Sequence, residues 1–360
     1  MIYIGAELMI TPLGDTTEQN WSGLMENRSG ISLVAGAGFS GESIHLAKMH
    51  SLSVENRFEK LVTDSLTAIS HKIDPAILSS DRTLVLISST KGALDVNVKD
   101  QFASVMEAMR VRFSLVNVPV VVSNACISGV LAINAASNFI KSNLYDHAVV
   151  IGCDVLSDFV INGFQSLFAA SDQPCAPFDV ARNGITLGEG CSAVVLSRSS
   201  TIFYEAPLEL LTGASANDAN HISGPSRTGE GLYRSVKKTL ANNQVQPGDI
   251  DFISAHGTAT VFNDEMESIA FDRLDMSNVP LNSFKGYFGH TLGAAGVIET
   301  AASMQMIRNG ALIKSLGFRN AGTSKPLHVV LENEKKELRT ILKTASGFGG
   351  GNASLIIRKI

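Results

Sequence analysis

The chain has 360 residues, 45% of them apolar and 18% charged, with 31 glycines and a formal net charge of −5. That length supports one large core or two fused ones, and the composition is that of an ordinary α/β protein. The negative balance excludes a global attraction to nucleic acid or to an anionic membrane, and no uninterrupted apolar run approaches the ~20 residues of a membrane span.

Residues 1–10 read as a first strand that runs into the turn Thr11-Pro-Leu-Gly14. They lack the basic leader of a signal peptide. Residues 21–30 read as a surface helix and turn. Over residues 55–69, Phe58, Leu61, Val62, Leu66 and Ile69 recur at helical intervals, which predicts an amphipathic helix with Arg57 and Lys60 on its outer face. Residues 83–88 form a near-continuous apolar strand, and residues 100–112 a helix.

Val118, Val120, Val121 and Val122 predict a buried strand, with Pro119 near its start where a missing N–H is tolerated. The motif Ser123-Asn-Ala-Cys-Ile-Ser-Gly129 follows, then a helical pattern through Val130, Ile133, Ala136 and Ile140. A sharp strand-to-helix turn there would put the Cys126 sulfur at a helix N-terminus, where the dipole favours thiolate. Taken alone, the same cysteine fits a buried structural thiol. With Cys153, Cys175 and Cys191 it makes four cysteines, no CxxC pair and no disulfide scaffold. A reducing, cytoplasmic setting follows.

Residues 147–152 and 192–196 add two more apolar strands. Strands buried on both faces and alternating with helices predict a layered α/β architecture. A second series then begins, with strands at 208–212 and 251–254 and helices at 229–242, 264–274 and 297–308. Strands at 339–345 and 353–358 end the chain, joined by Gly347-Phe-Gly-Gly-Gly-Asn352. The similar element order of residues 1–200 and 201–360 predicts a duplicated fold.

Two histidines stand beside glycines, which allow close backbone approach to a ligand. His256 lies in Ser254-Ala-His-Gly-Thr-Ala-Thr260, and His290 in Lys285-Gly-Tyr-Phe-Gly-His-Thr-Leu-Gly-Ala-Ala-Gly296. Either one alone fits a hydrogen-bonded structural histidine.

Taken together in order, these segments resemble the β-ketoacyl-acyl-carrier-protein synthases whose triad is Cys-His-His. Pro177-Phe-Asp-Val-Ala-Arg-Asn-Gly184 and Gly188-Glu-Gly190 belong to the same pattern, which covers nearly the whole chain. The resemblance implies a thiolase-like fold of two similar halves in an α-β-α-β-α arrangement. It implies that Cys126 attacks an acyl thioester and that the N–H groups of Cys126 and Phe348 form the oxyanion hole. His256 and His290 would donate from Nε2 to the thioester carbonyl of a malonyl unit, so that an enolate is stabilised as CO2 leaves. No metal or organic cofactor is implied.

By the same resemblance Lys285, Glu299 and Glu267 form a network that orders the site. Thr258 and Thr260 bind the phosphopantetheine arm, Phe348 gates the acyl pocket and Phe164 lines it. Glu189 and Asp179 bond turns near the site. Either threonine alone fits a turn residue bonding its own backbone. The implied partners are an acyl carrier protein and a second subunit, identical or related.

Three departures stand out. The segment between Ser88 and Val118 is short, which leaves the acyl pocket more open or completed by a partner. Phe168 stands where elongating members often have an arginine for the carrier, so Arg57, Lys60 or Arg110 becomes the expected docking cation. Ser346 replaces a phenylalanine before the glycine turn. These departures fit polyketide or polyene assembly as well as fatty-acid synthesis. A non-condensing, chain-length-factor-like subunit would usually lack the cysteine. A thiolase would carry a second cysteine at the C-terminal glycine turn, where this chain has Phe348.

Overall fold

A computed structural model of the chain describes residues 1–49, 55–94, 96–218 and 224–360. One sheet of eleven strands runs through it. The first half supplies β1 (Tyr3–Ile10), β2 (Thr83–Ser88), β3 (Val120–Val122), β4 (His147–Asp154) and β5 (Gly190–Ser197). The second supplies β6 (Leu208–Leu210), β7 (Ala214–Asn217), β8 (Phe252–Ser254), β9 (Leu281–Asn282), β10 (Thr340–Gly347) and β11 (Gly351–Arg358). Their order is β9-β8-β10-β11-β6-β1-β5-β4-β2-β3, with β7 set against β11. Counted within each half, and with β6 and β7 taken together as one position, both runs read 3-2-4-5-1. A repeated strand order is thus present without a repeated sequence.

Among the described residues the helices of two turns or more are α1 (Thr17–Met25), α2 (Arg57–Ser70), α3 (Ala103–Arg112), α4 (Ser128–Lys141), α5 (Asp158–Ser166), α6 (Glu230–Asn243), α7 (Val261–Arg273) and α8 (Ala295–Asn309). Strand alternation decides the layering. Leu86, Val150 and Val194 face a core shared with α4 and α8, while Ile87, Val149 and Val195 face α2. In the second half Phe252, Ile341 and Leu355 face the same central core, and Ile253, Leu342 and Ile356 face α6 and α7. The result is five layers, α-β-α-β-α. Burial on both faces is why these strands read as continuous apolar runs.

The central layer is α4 against α8, and glycines set its spacing. A Cβ on Gly129 would lie 2.8 Å from the Gly296 Cα, and one on Gly296 would lie 2.5 Å from the Val130 nitrogen. This contact brings the start of the Cys126 helix against the start of the helix that follows His290.

Two expectations need correction. The β-branched run at 118–122 gives a three-residue edge strand, paired among the described residues with β2 alone; Val118 before it is 64% and Val120 in it 39% exposed. β-Branched residues suit an edge strand as well as a central one, so the run did not separate the two. The first helix begins at Thr17, earlier than residue 21, because Thr16 caps it by accepting the Gln19 N–H. Among the described residues no helix is long and apolar enough to cross a membrane.

Candidate active site

The loop after β3 carries Cys126 on a strained turn. Ala125 has φ of 43°, in the left-handed region that costs a non-glycine residue of order 1–3 kcal/mol. Ser128 pins the turn, accepting the Asn124 N–H at 2.8 Å and donating to the Ala125 carbonyl at 2.6 Å. The glycine turn between β10 and β11 lies against it. A Cβ on Gly347 would sit 3.2 Å from the Cys126 nitrogen, tighter than an ordinary contact, so glycine eases this approach. The N–H groups of Phe348 and of Cys126 itself lie close enough to the sulfur to lower the proton affinity of the thiol.

Two histidines close on that sulfur. His290 Nε2 is 3.0 Å from Cys126 Sγ, and the rings of His256 and His290 meet edge to face with centroids 5.3 Å apart. One nitrogen of each ring and the sulfur all lie within 4.8 Å of one another. Backbone bonds fix His290, whose N–H donates to Thr186 and whose carbonyl accepts from Gly188. Its Nδ1 is buried and has no hydrogen-bond partner among the described residues.

The expected thiolate is not what the environment favours. Burial pushes the Cys126 thiol up to about 11, against the opposing charge of Lys285 and the Phe348 N–H. The sulfur sits before the first turn of α4 in an enclosed site, so desolvation outweighs the dipole. Burial also holds His256 and His290 well below the usual histidine range, reinforced by the positive charges of Lys285 and Lys343. Both imidazoles are therefore neutral near pH 7, and a neutral ring can relay the thiol proton.

Behind the histidines stands a buried charged network. Lys285 Nζ faces His256 Nδ1 at 3.4 Å, donates to the His256 carbonyl and pairs with Glu299 at 2.8 Å. The ammonium cannot accept a proton, so His256 Nδ1 is the acceptor and Nε2 carries the hydrogen toward the cavity. Glu267 accepts the N–H groups of His256 at 2.8 Å and Gly257 at 2.6 Å, and Asn263 donates to it at 2.9 Å. Asp264 accepts from Phe178 and Thr258. Burial beside Asp264 pushes Glu267 up to about 7. Lys285, Glu299 and Glu267 thus meet around His256, as expected.

A cavity of about 390 Å³ opens over the three residues, lined by Thr258, Thr260, Ser346, Phe348 and, at its rim, Phe168, which is 95% exposed. The Thr258 and Thr260 hydroxyls share a 2.9 Å hydrogen bond. Phe164 does not line this cavity. Its ring stacks on Phe348 with centroids 5.7 Å apart, so it backs that side chain. Ser346 donates to Asn352 Oδ1 at 2.8 Å, fixing the glycine turn.

Arg57 is not a docking cation. It is buried and paired with Glu189, whose carboxylate also accepts the N–H groups of Met49 and Leu156. A buried carboxylate needs a cation more than solvent does, and Arg57 at the start of α2 turns inward to supply it. Lys60 is exposed and Arg110 half-buried, but each is already paired along its own helix, with Asp64 and Glu107. Asp179 accepts three backbone N–H groups, those of Ala181, Arg319 and Asn320.

Two charged groups near the site escaped the sequence reading. Lys343, fully buried, pairs with the second oxygen of Glu299. Its signal was a lone lysine inside the apolar strand Ile341-Leu-Lys-Thr-Ala345, since lysine is almost never buried unpaired. Asp154 accepts from Ser89, Thr90, Lys91 and the Gly293 N–H, tying the turn after His290 to the end of β2. Cys126, His256 and His290 could offer three donors to a soft metal. However, the ammonium against His256 takes the place of the carboxylate or carbonyl that orients a metal-bound imidazole.

Two family models match the chain. That for the beta-ketoacyl synthase N-terminal domain covers residues 109–201, and that for the beta-ketoacyl synthase C-terminal domain covers residues 209–319. The chain belongs to the β-ketoacyl synthase family. It is 35% identical over 257 residues to 3-oxoacyl-[acyl-carrier-protein] synthase 2 of Rhizobium meliloti, which is 66% of this chain and 60% of that protein. It is 27% identical to the synthase 2 of Synechocystis, over 97% of this chain and 96% of that one. A chain from the solved complex of the ketosynthase ApeO with its chain length factor ApeC, from Xenorhabdus doucetiae, superposes with a TM-score of 0.88 at 26% identity, covering 100% of this chain and 98% of that one. The chain spans about 60% of the length of the first curated relatives that it matches. Ketosynthase neighbours carry the thiolase-like fold, and the five layers described above are that architecture.

Proposed function

We propose that this chain condenses a carrier-bound malonyl unit with an acyl chain held on Cys126. The observation that carries the reading is His290 Nε2 at 3.0 Å from Cys126 Sγ, with the His256 ring beside it in one cavity. Attack by Sγ on an acyl thioester forms the Cys126 acyl thioester and breaks the bond to the carrier arm. The thiol proton leaves through His290 to the departing phosphopantetheine thiolate. The Phe348 and Cys126 N–H groups hold the oxyanion.

A malonyl thioester then enters past Thr258 and Thr260. Its carbonyl oxygen accepts from the Nε2–H groups of His256 and His290, the latter ring having exchanged its proton between nitrogens. Loss of CO2 leaves an enolate whose charge these donors stabilise. The enolate carbon attacks the acyl carbonyl and forms the new C–C bond. The C–S bond to Cys126 breaks, and its thiolate takes up one proton. The product is a β-ketoacyl-carrier thioester of fatty-acid or type II polyketide synthesis.

The exposed edge strand β3 favours a dimer, because unpaired strand edges recruit a second strand. The partner is a second copy or a related ketosynthase subunit. Retention of Cys126 and both histidines speaks against a non-condensing chain-length-factor role. We read residues 1–200 and 201–360 as the two thiolase-like halves, and the setting as cytoplasmic.

Intact-mass analysis with acyl-carrier thioesters tests the reading. An acyl adduct on the wild type and none on Cys126→Ala is expected. No adduct with any primer, with the protein alone or with a partner subunit, would overturn it.

A further inference from the structure

Lys343 is the feature of the site that the chemistry above leaves unused. It lies in β10 directly opposite Ser254 of β8, the strand that ends two residues before His256. Its side chain is fully buried, and its Nζ donates to the Ser254 carbonyl at 3.2 Å and the Ala255 carbonyl at 3.3 Å. The same ammonium pairs with Glu299 Oε2, while Lys285 holds Glu299 Oε1. Two buried lysines therefore share one carboxylate, with Glu267 close enough to act on both; burial lowers the proton affinity of Lys343, and Glu299 and Glu267 oppose that. A buried charge is costly unless paired, so a second lysine on an already paired carboxylate calls for a reason.

We propose that Lys343 is a positioning residue for the decarboxylation half-reaction, holding the backbone that presents His256 and placing positive charge behind the nascent enolate. This rests on the proposed condensation. The reach of that charge is visible at both rings, since Lys343 lowers the proton affinity of His256 and of His290. Fixed charge in a buried site needs no reorganisation as the enolate forms, so it acts on the step that develops negative charge. Acyl transfer to Cys126 relies instead on the Phe348 and Cys126 N–H groups and on His290; among the described residues the hydrogen bonds of Lys343 go to Ser254, Ala255 and Glu299, and its charge reaches His290 only at a distance.

The test separates the two half-reactions in Lys343→Met. Cys126 acylation is followed by intact mass, and CO2 release is measured from malonyl-carrier thioester. Acylation within about threefold of wild type and decarboxylation reduced at least about tenfold are expected. The thermal midpoint should be retained, because Glu299 keeps Lys285. Lys343→Arg, which restores charge, should recover part of the decarboxylation. Equal rates in both half-reactions would overturn the proposal. So would equal losses accompanied by a lower midpoint, which would make Lys343 only a structural group. Should the Met variant not fold, Lys343→Gln keeps an N–H donor for the two carbonyls without the charge, and the same comparison decides. If the wild type itself releases no CO2, the condensation reading fails rather than the role of Lys343.

Discussion

Lys285 Nζ stands 3.4 Å from His256 Nδ1, and this one contact fixes the tautomer of a ring that, in the proposed condensation, donates into the cavity. A neutral, Nε2-protonated His256 follows from the ammonium at its back. The two histidines are then unequal, since of these two rings it is His290 that hydrogen-bonds the Cys126 sulfur.

That inequality separates two variants. His290→Asn should slow both Cys126 acylation and malonyl decarboxylation. His256→Asn should slow decarboxylation by about 10²–10³-fold, the usual cost of one oxyanion donor, and leave acylation within a few-fold. Single-turnover rates of each step distinguish them, and a matched loss of acylation in His256→Asn would contradict the assignment.

Glu267 gives a pH signature. Its carboxyl is pushed up to about 7 by burial, above the ordinary value of 4.5, so the folded state binds the proton more tightly than the unfolded one. Its contribution to stability is full below pH 4.5 and is lost as pH rises through about 7. The depressed histidines act with the opposite sign, because unfolded imidazole takes up a proton below 6.5 and stability falls with falling pH. Subtracting the stability curve of Glu267→Gln from that of the wild type isolates the first effect. The difference should decline between pH 5 and 8, and a flat difference would refute it.

Gly129→Ala and Gly296→Ala each place a methyl within 2.8 Å of backbone across the α4–α8 crossing. Overpacking of this kind costs roughly 1–3 kcal/mol or more where only backbone can move. Denaturant unfolding should show the loss in each variant. A change under about 0.5 kcal/mol, the range of ordinary surface substitutions, would mean that the helices part easily.

Edge strand β3 gives a test of assembly. Val120→Lys puts a charge on a half-exposed edge position, a device by which edge strands avoid pairing. Sedimentation should show a shift toward monomer. An unchanged dimer would place the interface elsewhere.

Much of this was readable from residues alone, and the gaps have physical causes. Strands β2, β4 and β5 were plain because burial on both faces demands unbroken apolar runs. The meeting of Cys126, His256 and His290 was legible through motifs, as glycines mark where backbone approaches the sulfur or the rings. Arg57 misled because helical periodicity assigns a face, while a carboxylate 132 residues away, Glu189, draws the guanidinium inward. Cys126 misled because the dipole of α4 is a local signal and desolvation is a tertiary one. Lys343 went unseen since its partner, Glu299, lies 44 residues away and was already matched to Lys285.

The most direct measurement uses malonyl-carrier thioester labelled in its free carboxylate, added to protein already acylated on Cys126. Labelled CO2 and β-ketoacyl-carrier product should appear in a ratio of one to one, and product should vanish in Cys126→Ala. Acylated protein that forms no β-ketoacyl product, or product that keeps the label, would contradict decarboxylating condensation at this site.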